Sequence, residues 1–122
     1  MQEMITRTPF EDLVVQAIMS LPEDVRKIVD AEVAVIVQDK EEPWQLRIAK
    51  KHRRKYLYGL YIGTNHHRVG LASGGRVVGA RVFIFEENIV NSLDRWDGMT
   101  LKEVVFDVVT HEIKHHFGLR HK

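Results

Sequence analysis

The sequence predicts one α+β domain spanning residues 1–122, and three observations predict it. Helix-start signals recur at Thr8-Pro9-Phe10-Glu11, Ser20-Leu21-Pro22-Glu23 and Thr100-Leu101-Lys102-Glu103, each a hydroxyl residue followed three positions later by glutamate. Short apolar runs at 33–37 and 81–85, rich in β-branched and aromatic residues, have the length of strands. A chain of 122 residues with 44% hydrophobic content has enough apolar side chains for one core and few to spare for a second.

The first capping box carries proline at the first helical position, and Phe10, Leu13, Val14, Ala17 and Ile18 follow at helical spacing, so an amphipathic helix is expected. The box at Ser20 starts a short second helix with Val25, Ile28 and Val29 on its buried side. Val33-Ala34-Val35-Ile36-Val37, bounded by acids, reads as a strand buried on both faces and ended by Glu41-Glu42-Pro43-Trp44. Residues 47–55 form a basic stretch, with Arg47, Lys50, Lys51, Arg53, Arg54 and Lys55 interleaved with Leu46 and Ile48. Such a run reads first as a solvated face and second as a patch for nucleic acid or an acidic substrate.

Gly59-Leu60-Tyr61-Ile62-Gly63 leads into a polar loop with two adjacent histidines, His66 and His67. Ser73-Gly74-Gly75-Arg76 lies between Val69/Leu71 and Val77/Val78 and signals a hairpin, with Gly79 as a bend in its second arm. Arg81-Val82-Phe83-Ile84-Phe85 is the second clear strand, and Glu86 and Glu87 end it as solvent-facing acids. Ile89 to Leu93 read as one helical turn, and Trp96, in the loop that follows, as a core or cleft wall. From the third capping box a helix runs unbroken to Phe117, apolar over most of its girth through Val104, Val105, Val108, Val109 and Ile113.

That last helix carries the chemistry. His111-Glu112-Ile113-Lys114-His115 is an H-E-x-x-H motif, extended through Gly118 to His121. Residues four apart share a helix face, so His111 and His115 can hold one metal ion. Glu112 then stands beside that metal as the general base for a water, and Gly118 allows a left-handed turn that returns His121 as third ligand. A fourth position left for water distinguishes a catalytic zinc site from a closed structural one. Asp107, one turn before His111, is a candidate acceptor for its second ring N–H. His116, five residues from His111, lies off the ligand face and outside the predicted site.

Composition narrows the alternatives. With no cysteine there is no disulfide framework and no thiolate ligand, which leaves histidines and carboxylates to hold Zn²⁺. The formal charge of +1 argues against nucleic acid as a partner, the basic stretch being the one feature that favours it. No apolar leader or run of about 18 apolar residues is present, so no membrane association and a cytoplasmic location are expected. Nothing reads as a cleavable pro-segment, and an active protease of this kind would rely on a narrow or occluded cleft.

The residues His111-Glu112-x-x-His115-His116-Phe117-Gly118, Gly59-Leu60-Tyr61-x-Gly63, Leu21-Pro22-Glu23 and the strand at 81–85 together resemble the small bacterial zincin-like metallopeptidases, or minimal zincins. The resemblance implies an α+β fold in which a small mixed sheet packs on helices, with the active-site helix at the C-terminus and peptide-bond hydrolysis as the activity. That family usually has Asp at the position of His121; the histidine here is similar to metzincins. In zinc peptidases a substrate strand pairs with a sheet edge beside the active-site helix, and 81–85 is either that edge or an ordinary central strand. One histidine of the His66-His67 pair is a candidate transition-state donor in the same cleft.

Two other functions fit the motif. The small rRNA-maturation endoribonucleases have three histidines at the same spacing, but glycine or serine where this chain has Glu112; a base there favours amide hydrolysis. A non-catalytic zinc-holding interaction module is the third reading.

Overall fold

The computed structural model describes residues 7–49, 57–63 and 79–118. The hairpin signal at 73–76, the His66-His67 pair, the basic residues Lys50, Lys51, Arg53, Arg54 and Lys55, and the expected third ligand His121 lie outside the described residues.

Helix α1 (Pro9–Met19) starts as its sequence dictates. Thr8 Oγ1 accepts the Glu11 N–H at 3.1 Å, while Glu11 Oε1 accepts the Thr8 N–H at 2.8 Å, satisfying two amides that the helix itself leaves unpaired. Its buried face is Phe10, Val14 and Ala17. The box expected at Ser20 does not form. Ser20 is the C-cap of α1 and its hydroxyl donates to the Gln16 carbonyl at 2.8 Å, so it is already used by the helix it ends. Helix α2 (Glu23–Glu32) therefore begins after Pro22 with no side-chain cap, and buries Val29.

Strand β1 (Val33–Gln38) follows α2 directly. Among the described residues it pairs with β3 (Ala80–Phe85), in parallel, with Val35 opposite Val82; β2 (Gly59–Ile62) pairs antiparallel on the other side of β3, with Leu60 opposite Phe83. Among the described residues the order is β1-β3-β2, with β3 in the middle. The expectation that β1 is buried on both faces is corrected: it has one described neighbour, Ala34 is exposed and its other residues are half-buried. β3 has both edges occupied, which decides between the two readings of 81–85 in favour of the central strand.

The sheet's two faces carry different cores, as side-chain alternation requires. Val82 and Ile84, with Val33, Val35, Val37 and Tyr61, pack toward α1 and the last helix. Phe83, Phe85, Leu60, Ile36 and Ile62 form a second cluster with Trp44 and Ala49 of helix α3 (Pro43–Ala49). The segment expected only to end β1 thus continues as a helix. Gln45 explains it: fully buried, its Oε1 accepts the Glu42 N–H at 2.8 Å, and its amide exchanges hydrogen bonds of 3.0 and 3.1 Å with Gln38 of β1.

Helix α4 (Glu86–Asn91) begins on the residue after β3. Glu86 and Glu87 form its first turn, where the helix dipole favours negative charge, so the helical signal starts three residues ahead of Ile89. A 3₁₀ turn (Leu93–Arg95) then leads to α5 (Leu101–His116). The Thr100–Glu103 box forms as expected, at 2.8 and 3.2 Å. Val104, Val105, Val108, Val109 and Ile113 are buried between the sheet and α1. Each such burial is worth ~1.5–3 kcal/mol, which fixes the rotation of α5 and hence the direction of its polar face. No helix among the described residues is long and apolar enough to cross a membrane.

Candidate metal centre

The face of α5 left free by those valines carries His111, Glu112 and His115. One ligand atom from each lies within 4.8 Å of the others, a separation one ion can span with small side-chain adjustments. The two imidazoles meet edge-on, with ring centroids 5.2 Å apart at 85°. Both are half-buried, whereas Glu112 retains only 8% of its exposure. Gly118 has φ +74°, the left-handed turn expected after the helix, and its N–H is bonded to the His115 carbonyl at 3.1 Å.

These side chains form one wall of a cavity of about 380 Å³, within the range of small-ligand sites. The opposite wall is the segment from Leu57 to Tyr61, and Trp96 closes one end. Trp96 is a cleft wall, held in place from both ends: Nε1–H donates to the Ser92 hydroxyl at 3.0 Å, and the ring packs on Tyr58 with centroids 5.3 Å apart. The strand wall is anchored as well. Glu41 accepts the Leu57 N–H at 2.7 Å and an Asn88 amide hydrogen at 2.8 Å. Asp107 lines the cavity beside His111 and is exposed.

A helix carrying H-E-x-x-H, lying along a small mixed sheet and opening on a cavity, is the arrangement that the sequence motifs imply. The profile of the zincin-like metallopeptidase family matches residues 30–122. The chain belongs to that family. No curated protein matches this zincin-like sequence. The match covers every element from the end of α2 onward, and so both walls of the cavity.

Two features of this zincin-like site come from β2 rather than α5, and the motif does not announce them. Gly59 faces Glu112: a Cβ there would stand 2.7 Å from Glu112 Cγ and 3.2 Å from Cδ and Oε2, so only glycine lets the strand approach the carboxylate. Tyr61, two residues on, reaches the same cavity. Its ring lies nearly parallel to that of His115, at 6.3 Å and 22°, and its hydroxyl meets His116 Nδ1 at 2.8 Å. Burial, and then the charge of Glu32, push the Tyr61 pKa up to about 12, so the hydroxyl keeps its proton throughout the physiological range. His116 stays off the ligand face, as its spacing requires, and is fully buried behind it.

Proposed function

We propose that this zincin-like chain is a zinc-dependent peptidase, in which His111, His115 and His121 hold Zn²⁺ and Glu112 is the general base. The observation that carries the reading is the convergence of His111, Glu112 and His115 on one wall of a cavity whose other wall is a strand. The side chains suit the metal: two imidazole nitrogens to bind it and the Glu112 carboxylate beside them to act as base, in a chain with no thiol to compete. When bound, zinc supplies Lewis acidity, polarising a carbonyl oxygen and lowering the pKa of a water toward 7.

The remaining work belongs to the protein's own groups. The Glu112 carboxylate accepts a proton from the attacking water and returns it to the leaving amine. Its burial against the bare backbone of Gly59 restricts it to one orientation and limits competing solvent. Tyr58 and Trp96, packed ring on ring, line the cavity with aromatic surface. An extended peptide lies along β2, the outer strand on the cavity side among the described residues, in place of the central strand. Glu112 also separates this reading from the endoribonuclease one, since a base beside the metal serves addition of water to an amide.

Metal stoichiometry on protein purified without chelators or an affinity tag tests the proposal, for the wild type beside His115→Ala and His121→Ala. Near one zinc per chain, lost in both variants, is the expected result. Zinc retained in His121→Ala would place the third ligand elsewhere, and no zinc in the wild type would overturn the reading.

A further inference from the structure

Behind the ligand face runs a second chain of polar groups, centred on the buried His116, that metal binding itself does not require. Tyr61 Oη lies 2.8 Å from His116 Nδ1, and His116 Nε2 lies 2.8 Å from Glu32 Oε1. The chain links three elements, β2, α5 and the last residue of α2. His116 has 0% exposure, and burying an imidazole costs free energy that an apolar side chain would not incur, so packing alone does not account for it. The Glu32 carboxylate accepts at Nε2, which therefore carries a proton, and the Tyr61 hydroxyl pairs with the other ring nitrogen, Nδ1. The other functional part of Tyr61 is its ring, set nearly parallel to that of His115. His115 is thus contacted by His111 from its own helix and by Tyr61 from the opposing strand.

We propose that Tyr61, clamped by His116 and Glu32, is a positioning residue for His115, holding that imidazole in its metal-binding orientation before any ion arrives. The inference rests on the metal reading of the site given above. An imidazole that an ion must first order binds that ion more weakly than one ordered in advance. Tyr61 does this without lending a ligand atom, its hydroxyl being engaged by His116. Groups that orient metal-binding histidines from behind change affinity by about 10–100-fold when removed, which sets the scale expected here.

Titration of Co²⁺ alone into the apo protein tests this, reading the Kd and the visible d–d band, with the melting temperature of each apo protein as the measure of fold. The set is wild type, His115→Ala, Tyr61→Phe, Tyr61→Leu, His116→Leu and His116→Asn. Tyr61→Leu and His116→Leu are expected to bind roughly tenfold more weakly with an altered band, and Tyr61→Phe, which keeps the ring and loses the clamp, to fall between them and wild type. His116→Asn, whose side-chain oxygen still accepts the Tyr61 hydroxyl, recovers part of the loss. Unchanged Kd and band in both Tyr61 variants overturn the inference while leaving the metal site intact, even if melting temperatures fall, because that pattern marks a purely structural residue. The Tyr61 pair decides the matter if His116→Leu does not fold. A wild type that binds no Co²⁺, like His115→Ala, overturns the metal reading and the inference together.

Discussion

The two walls of the cavity contribute to it in different ways. Helix α5 brings the donor atoms of His111, Glu112 and His115, whereas β2 brings a backbone with no side chain at Gly59 and an aromatic ring at Tyr61. Reactive groups on a helix are fixed by its periodicity and by the valines that lock its rotation. The space those groups need is fixed by whatever stands opposite. A site of this kind therefore fails in two distinguishable ways: by loss of a group, or by loss of the room in which that group acts.

The largest effect expected from the strand wall is at Gly59. Replacing it with valine puts a Cβ 2.7 Å from Glu112 Cγ, so the carboxylate must move. A displacement of about 1 Å costs roughly a hundredfold in turnover, and the overpacking costs about 1–3 kcal/mol of stability. Zinc content should stay near wild type, because the histidines on α5 are untouched. A Gly59→Val enzyme with full turnover would show that the strand's approach to Glu112 has no catalytic consequence.

Next in size is a change to the helix wall that leaves its chemistry alone. Thr100→Ala removes the hydroxyl that caps α5 at Glu103 and is expected to cost about 1 kcal/mol in denaturant unfolding. Metal affinity should not change, since His111 lies three turns downstream. Weaker metal binding in that variant would mean that the frame and the reagents of α5 are not separable.

The smallest effect lies outside both walls. Burial, and then the charges of Asp39 and Glu11, raise the Glu86 carboxyl above its ordinary value of 4.5. The folded state holds that proton more tightly than the unfolded chain does. Its stabilisation is complete below the unfolded pKa and is lost as pH rises through the folded one. Glu86→Gln should accordingly stabilise at pH 7, by less than about 0.5 kcal/mol because the half-buried carboxyl is still partly screened by solvent, and the gap from wild type should close near pH 4. Thermal melts at the two pH values check it, and turnover should be indifferent.

The same contrast explains what could be read from the sequence. Helix α5 was readable from end to end because Thr100 and Glu103 mark its start, the His111–His115 interval marks its face, and Gly118 marks its turn. The strand runs were readable as strands but not as edge or centre. An apolar run such as 33–37 records how much of it is covered and not what its backbone pairs with, and so β1 was expected to be more deeply buried than it is, while 81–85 could be read as either edge or centre. Helix α3 was missed because its start signal is Gln45 reaching back to Glu42, beside a proline that also ends strands. Ser20 misled for a complementary reason: one hydroxyl can end a helix as well as begin one. At the site, nothing in the sequence ties Gly59 to Glu112 or Tyr61 to His116, which are 55 residues apart and meet only when β2 packs on α5. The cue available was the pair of glycines around Leu60-Tyr61, a sign of close backbone approach with no indication of what is approached.

The proposed hydrolysis turns on Glu112 moving the proton beside a metal held by its neighbours. Peptide-library turnover of the wild type and Glu112→Gln, each first shown to carry the same zinc per chain, isolates that step. Glu112→Gln is expected to keep its zinc and lose about 10²–10⁴-fold in turnover. Equal turnover in the two zinc-loaded proteins would rule out Glu112 as the base.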